Sequence, residues 1–222
     1  MPILQELLKD DNSEVRLNVA SNMHKLSSVV GAELLTSTLL TILTTMTKDA
    51  QWRVRMAIFE LIGEFSVAFG LEIFTRSLEA IYFQYLTNTA ASVRNMGVEK
   101  SAALAEAFGA DWVVASLIPK VVDSYNVDQQ GFNYRMCALE SLSAVMPVLP
   151  KEMVTEMVVP TLIKACGDRI PNVQFCCARI IKKNKTSIDT NTFTTLIAPK
   201  LKEMMQESDK DVAYYATIAH QD

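Results

Sequence analysis

Few side chains in this 222-residue sequence could do catalytic chemistry. The two histidines, His24 and His220, lie far apart, and neither stands in a metal-binding or catalytic motif. The sequence also lacks the serine motif of hydrolases, the glycine-rich dinucleotide motif and the phosphate-binding loop. We therefore predict a protein that is not an enzyme, and we expect neither a cofactor nor a metal site.

The four cysteines contain no C-x-x-C pair, and the two adjacent ones could bridge only in a strained ring. We interpret them as small buried thiols in a reducing compartment. They are Cys137, Cys166, Cys176 and Cys177.

Charge and hydropathy limit the class of partner. The formal net charge of -4 opposes a general nucleic-acid binder, which needs a basic stripe. No uninterrupted apolar run has the roughly 18 residues needed to span a bilayer, so we expect no membrane partner. We predict a cytoplasmic location, with the nucleus also open.

The stretch DAQWRVRMAI, residues 49–58, offers a different chemistry, the recognition of another protein. Trp52 is followed directly by Arg53, and both stand where an apolar helix begins. Trp and Arg are the residue types that dominate the binding energy of protein interfaces.

This stretch belongs to a repeat. A marker residue recurs with spacings of 39, 39, 41, 39 and 39 residues, at Val15, Val54, Val93, Tyr134, Val173 and Val212. A second marker follows each of the first five by 16 residues, at Gly31, Gly70, Gly109, Pro150 and Asp189. We predict one domain, 1–222, of about six repeats: 1–30 (partial), 31–69, 70–108, 109–149, 150–188 and 189–222 (partial).

Each repeat contains two helices. Val54, Ile58, Leu61, Ile62 and Phe65 have the spacing of one apolar helix face, and Gly70 suits a left-handed stop at a helix end. A helical period near 39 lies close to the range of about 40–47 residues of HEAT and armadillo units. We predict an all-α HEAT-repeat solenoid of stacked antiparallel helix pairs.

Charged residues recur in the turn between the two helices. Arginine follows the marker at Arg16, Arg55, Arg94 and Arg135, while an acid precedes it by five residues at Asp10, Asp49, Asp168 and Glu207. A cation in the first turn of a helix opposes the helix dipole, so it needs a compensating acid. We interpret the series as a structural ladder that links neighbouring turns, broken at Gln174 and Ala213.

Two aromatic residues occupy the position two before the marker, Trp52 and Phe132. Two residues correspond to about 200° around a helix, so both rings should point away from the core that the marker enters. Asn133 follows Phe132, and Ile170 stands in the equivalent turn of the next repeat. We hypothesise that these turns bind a protein partner; packing of each ring on the neighbouring turn is the alternative.

Several segments resemble the C-terminal HEAT repeats of the scaffold (A) subunit family of protein phosphatase 2A. They are DAQWRVRMAI, EVRLNVASN, VRNMGVEKSAALAEAFGADWVVASLIPKV and VVPTLIKACGDRIPNVQFCCA. The resemblance implies a hook-shaped solenoid whose C-terminal turns grip the catalytic subunit of a serine/threonine phosphatase. It also implies that the regulatory subunit docks mainly on N-terminal repeats that this sequence does not contain.

The resemblance implies four partner-binding residues. The Trp-Arg pair of the family falls on Trp52 and Arg53, a Tyr position on Phe132, and an aliphatic position on Ile170. We predict Asn133, beside Phe132, as a fifth. Another helical carrier, such as a nuclear transport receptor, is the alternative function. Such receptors usually have an acidic concave wall or Trp-Asn arrays, whereas Trp52 and Trp112 lie at unlike positions here.

Overall fold

The computed structural model describes residues 2–30, 44–127 and 131–221, and every regular element in these ranges is helical. Gly31 and most of the apolar stretch before Asp49 lie outside the described residues. The chain forms two compact units, Met1–Ala107 and Phe108–Asp222. The division into six repeats of one domain stays a prediction.

The described residues of the first unit include four helices and the start of a fifth, besides the helical residues 44–46. Between two of them, Phe74–Leu78 forms one widened turn of π-helix. The helices are Pro2–Leu7, Ser13–Val30, Trp52–Ile73, Glu79–Leu86 and Ala91–Trp112, the last of which ends in the second unit.

The second unit continues with the same alternation of long and short helices. The longer ones are Ile118–Asn126, Phe132–Val145, Val159–Cys166, Pro171–Lys183, Ala198–Met204 and Lys210–Gln221. Consecutive helices pack in pairs, and Pro171–Lys183 also packs on both Phe132–Val145 and Lys210–Gln221. Each pair therefore covers the apolar face of its neighbour, as a solenoid requires.

The predicted apolar face of the helix Trp52–Ile73 is buried along its length, from Val54 to Phe65. Phe59 on the same helix stacks on Tyr85, with ring centroids 4.0 Å apart. Deeper in this core, the Tyr82 hydroxyl bonds the Ser101 hydroxyl at 2.6 Å. The helix positions predicted from periodicity are confirmed.

Glycine breaks two helices at the second marker. Gly70 lies inside Trp52–Ile73 with φ 79° and ψ 173°, and Gly109 lies inside Ala91–Trp112 with φ 81° and ψ 176°. Essentially only glycine adopts this combination. The predicted stop at Gly70 is confirmed, but its ψ is extended, so the chain turns a corner there and a new helix follows at once.

Where the structure describes both helices of a complete pair, the first helix contains a widened turn of π-helix. The four segments are Phe74–Leu78, Val113–Leu117, Val154–Val158 and Phe193–Ile197. Pro119, Pro160 and Pro199 follow three of them at one offset, where proline cannot donate a helix hydrogen bond. Ala80 holds that place in the first segment, so the widened turn does not require proline.

Within the described residues, one stretch, Ala91–Asn126, is long and apolar enough by length and composition to cross a membrane, and an 18-residue window in it has a mean hydropathy of 1.3. Core helices of folded domains pass the same test. Gly109 interrupts this stretch, and Val93, Leu104 and Val121 within it are buried.

Candidate functional site

Trp52 and Arg53 lie together at the exposed start of a helix. The preceding turn is closed by Asp49, whose Oδ1 accepts a hydrogen bond from the Gln51 N–H at 2.8 Å. Trp52 is 40% exposed, and the Arg53 guanidinium lies 5.5 Å from the centroid of its ring. A cation over an indole is attracted to its face, so the pair holds its own arrangement on the surface.

The next two residues of the stretch face inward. Val54 is buried, while Arg55 folds back over the turn. Its Nη1 donates to the carbonyl oxygens of Asp49 at 2.7 Å and Ala50 at 3.1 Å. Arg53 and Arg55 therefore have different environments, one on the surface and one inside the turn.

The hydrogen bond from the Arg55 side chain to a backbone carbonyl oxygen of its own turn recurs in other turns. In four described turns, the residue after the marker donates to the carbonyl oxygen six residues earlier. The donors are Arg16, Arg55, Arg94 and Gln174. Gln174 thus keeps the turn closed although it breaks the arginine series.

The ladder between turns is confirmed at two places. Arg16 donates to both carboxylate oxygens of Asp49, at 2.7 and 3.0 Å. Arg135 does the same to Asp168, at 2.7 and 2.9 Å. The hydrogen bond to Asp49 raises the pKa of Arg16, which stays charged.

The two ends of the predicted ladder differ. Asp10 closes its own turn by accepting the Asn12 N–H at 2.8 Å. Glu207 is exposed, and Asp209 instead accepts the N–H groups of Asp211 and Val212. The ladder therefore consists of Arg-to-Asp bonds between turns, together with local caps at the ends.

Phe132 and Asn133 begin the helix Phe132–Val145 in the second unit, directly after Gly131. Phe132 is half-buried and Asn133 is exposed. The predicted outward direction thus holds more fully for Trp52 than for Phe132. Residues 128–130 of this turn lie outside the described residues.

Ile170 is the residue before the helix Pro171–Lys183 and is half-buried. Its N–H donates to Asp168 Oδ1 at 2.9 Å, which joins this position to the ladder. Pro171 stands at the first helical position, where its missing N–H would have no helical partner. Ile170 and Phe132 belong to the second unit, and Trp52 and Arg53 belong to the first.

Two polar residues at the third turn were not predicted from the sequence. Each pair of an arginine with the residue that it meets in the next turn is one rung of the ladder. Asn88 occupies the ladder position that Asp49 and Asp168 hold in their rungs, and Tyr85 lies one helical turn before it. The signal was the change from the carboxylate of Asp49 to the amide of Asn88 at the same position of successive turns. No cluster of metal-ligating side chains occurs among the residues that the structure describes.

A groove in the second unit has a mainly basic lining. Its volume is about 500 Å³, and Arg179, Lys182, Lys183 and Glu140 supply its charged side chains. Arg179 pairs with Glu140 at 3.3 Å.

The comparison with protein families covers more than half of the chain. The family described as "PIK3R4-like, middle domain" matches residues 2–123, which include Trp52 and Arg53. The chain belongs to this family. Phe132, Asn133 and Ile170 lie beyond the matched residues.

A relative from Saccharomyces cerevisiae is named as the A-type regulatory subunit of protein phosphatase PP2A. It is 31% identical over 120 residues, which are 51% of this chain and 19% of the relative. The chain thus matches about a fifth of that protein. This relative confirms the resemblance to the phosphatase scaffold seen in the sequence.

Solved structures confirm the fold. Cex1p has a TM-score of 0.72 at 12% identity, covering 99% of this chain and 41% of that one. Importin beta has a TM-score of 0.71 at 15% identity, covering 98% and 29%. The N-terminal domain of MAST/Orbit has a TM-score of 0.67 at 14% identity, covering 98% and 95%. The chain is an all-α solenoid of the HEAT and armadillo type.

Proposed function

We propose that this HEAT-repeat protein is a non-catalytic scaffold that binds the catalytic subunit of a protein serine/threonine phosphatase through its intra-repeat turns. Trp52 and Arg53 are the principal contact. Phe132, Asn133 and Ile170 are the further contacts in the second unit. A regulatory subunit is held mainly by other repeats.

The observation that carries this proposal is the exposed Trp52–Arg53 pair. Asp49 and Arg55 of the same turn are engaged in closing it and in the ladder, whereas Trp52 and Arg53 contribute an exposed ring and a charge. An exposed tryptophan in a rigid turn is suited to an interface hot spot. The yeast relative supports a phosphatase partner, since it is named as a regulatory subunit rather than an enzyme.

The test is binding of the purified phosphatase catalytic subunit by calorimetry. Trp52→Ala should weaken binding by about 2 kcal/mol or more, as hot-spot truncations do, while helicity and melting temperature are kept. Tyr214→Ala is the matched control, since Tyr214 is 61% exposed but lies outside the turns. Equal affinities for wild type and Trp52→Ala exclude the Trp52 assignment, and no binding by wild type excludes the function.

A further inference from the structure

The rung formed by Arg55 and Asn88 in the first unit lacks a carboxylate. Arg55 Nη2 lies 3.5 Å from Asn88 Oδ1, whereas Arg16 and Arg135 reach their aspartates at 3.0 Å or less. The single oxygen of Asn88 also accepts the Ala90 N–H at 3.0 Å. An amide oxygen cannot replace the two charged oxygens that hold a guanidinium in the other rungs.

Two hydrogen-bond donors at this rung are buried without an acceptor in the described part of the chain. They are Arg55 Nε and the Tyr85 hydroxyl. Tyr85 is 2% exposed, and burial raises its pKa, so the hydroxyl keeps its proton. Buried donors without partners are unfavourable, so an acceptor brought to this place is stabilising.

A cavity of about 310 Å³ opens at the same rung. It is lined by neutral polar side chains: Thr47, Gln84, Tyr85, Thr87, Asn88 and Thr89. Thr87 and Thr89 are exposed, so the cavity is open to solvent. Thr47 precedes Trp52 in the same intra-repeat turn, and Thr89 belongs to the next one.

The charge around this cavity is unbalanced. No carboxylate lines it among the described residues, and the nearest acid of the ladder, Asp49, is held by Arg16 and by the Gln51 N–H. The Arg55 guanidinium therefore bonds carbonyl and amide oxygens, which carry no net charge. Arg55 does not itself line the cavity but lies behind Asn88, which does. A partly buried cation beside a cavity of neutral polar side chains favours a small anion.

We propose that this cavity receives the carboxylate of an Asp or Glu side chain from the protein that docks on the intra-repeat turns. The carboxylate takes the place that Asp49 and Asp168 hold in the other rungs, accepting from the Tyr85 hydroxyl and the Asn88 amide beside Arg55. The inference rests on the proposed function for the identity of the partner. The preference of the cavity for a carboxylate rests only on the contacts of Arg55, Tyr85 and Asn88.

The first experiment tests the cavity without the partner, using sodium acetate as the probe. The side-chain N–H signals of Arg55 and Asn88 are followed by NMR at pH 7, against sodium chloride of equal ionic strength. In wild type they should shift and saturate with acetate. In Asn88→Asp the chain's own carboxylate completes the rung, so the Arg55 signal should not respond.

Asn88→Asp should also raise the melting temperature in chloride, which shows that the variant folds and that the rung is completed. Asp49→Asn is the matched control, since it creates the same amide rung at Arg16 and should lower the melting temperature. An Arg55 signal that responds equally to acetate in wild type and Asn88→Asp overturns the inference, as does no saturable response in wild type.

The second experiment measures binding of the phosphatase catalytic subunit. Asn88→Asp should weaken it roughly tenfold or more, because its carboxylate occupies the cavity and repels the partner's acid. If Asn88→Asp binds the catalytic subunit as tightly as wild type does, the carboxylate does not come from this partner. A wild-type chain that does not bind the subunit excludes the proposed function and this source together, and the acetate titration then decides the specificity of the cavity alone.

Discussion

The guanidinium of Arg135 holds both carboxylate oxygens of Asp168, 33 residues further along the chain, at 2.7 and 2.9 Å. The same sequence separation joins Arg16 to Asp49. Both side chains of each pair are largely shielded from water. The arginine that would be unfavourable at a helix start is thus compensated by the acid of the next turn.

Replacing Arg135 should test the stabilising role of this bond. Lysine keeps the charge but cannot donate two parallel bonds, so Arg135→Lys should lower the free energy of unfolding by about 1–3 kcal/mol in urea titrations. Arg179→Lys is the control, because its pair with Glu140 is longer and more exposed. It should change stability by about 0–1 kcal/mol. Equal losses in the two variants contradict the distinction.

The Arg16–Asp49 rung predicts a loss of stability in acid. Burial raises the pKa of Asp49, but the bonds from Arg16 and from the Gln51 N–H outweigh it, so the pKa lies below its ordinary 3.8. As the pH falls, Asp49 is therefore protonated in the unfolded chain at a higher pH than in the folded chain. The contribution of Asp49 to stability is therefore complete above about pH 3.8 and is lost as the pH falls through the lower folded-state pKa.

Asp49→Asn isolates this effect. Wild type should be more stable than the variant at pH 7, and the difference between them should shrink at pH 3, measured by urea unfolding at both values. A difference that is the same at the two pH values means that the charge of Asp49 does not carry the stabilisation.

The corner at Gly70 should depend on its backbone conformation. No atom lies within 4 Å of a Cβ placed there, so Gly70→Ala adds no clash, but its positive φ is unfavourable for alanine. The substitution should destabilise the chain by about 1–3 kcal/mol. Gly167→Ala is the control, since Gly167 has φ −102° and ordinary contacts, and it should change stability by less than about 0.5 kcal/mol. Thermal unfolding of the two variants distinguishes conformation from packing.

The period of the sequence predicted the helix stop at Gly70 and the inward face from Val54 to Phe65, because both depend on local backbone and side-chain chemistry. Recurrence of Arg and Asp likewise predicted the Arg16–Asp49 rung. The widened π-turns could not be predicted in the same way. Ala80 shares its position with three prolines and has the same turn before it, so packing within the repeat decides this feature.

The candidate site shows the same limit. Trp52 was predicted to be exposed from its angle to Val54, and it is. Phe132 has the same offset from Tyr134 but is half-buried. An angle around a helix gives a direction, whereas exposure also depends on what the neighbouring turn places there.

The cysteines should be unreactive in the folded protein. All four are buried, and Cys177 Sγ lies 3.7 Å from Cys166 Sγ and donates to the Leu162 carbonyl oxygen. Burial, with Glu140 nearby, raises the pKa of Cys176 to about 12, so its reactive thiolate is scarce at pH 8. Titration with a chromogenic disulfide reagent should be slow in buffer and should count four thiols in urea. A fast native phase contradicts the burial of at least one thiol.

The stacking of Arg53 on Trp52 predicts that the two side chains act on the partner as a unit. Arg53 lies over the indole face, so the charge that it presents to the partner is positioned by the ring. Arg53→Ala should therefore weaken binding of the catalytic subunit more in wild type than in Trp52→Ala. In a double-mutant cycle measured by calorimetry, the coupling energy should exceed about 0.5 kcal/mol. Additive effects, with all three variants folded, mean that each residue meets the partner independently and that the stacked arrangement does not contribute to recognition.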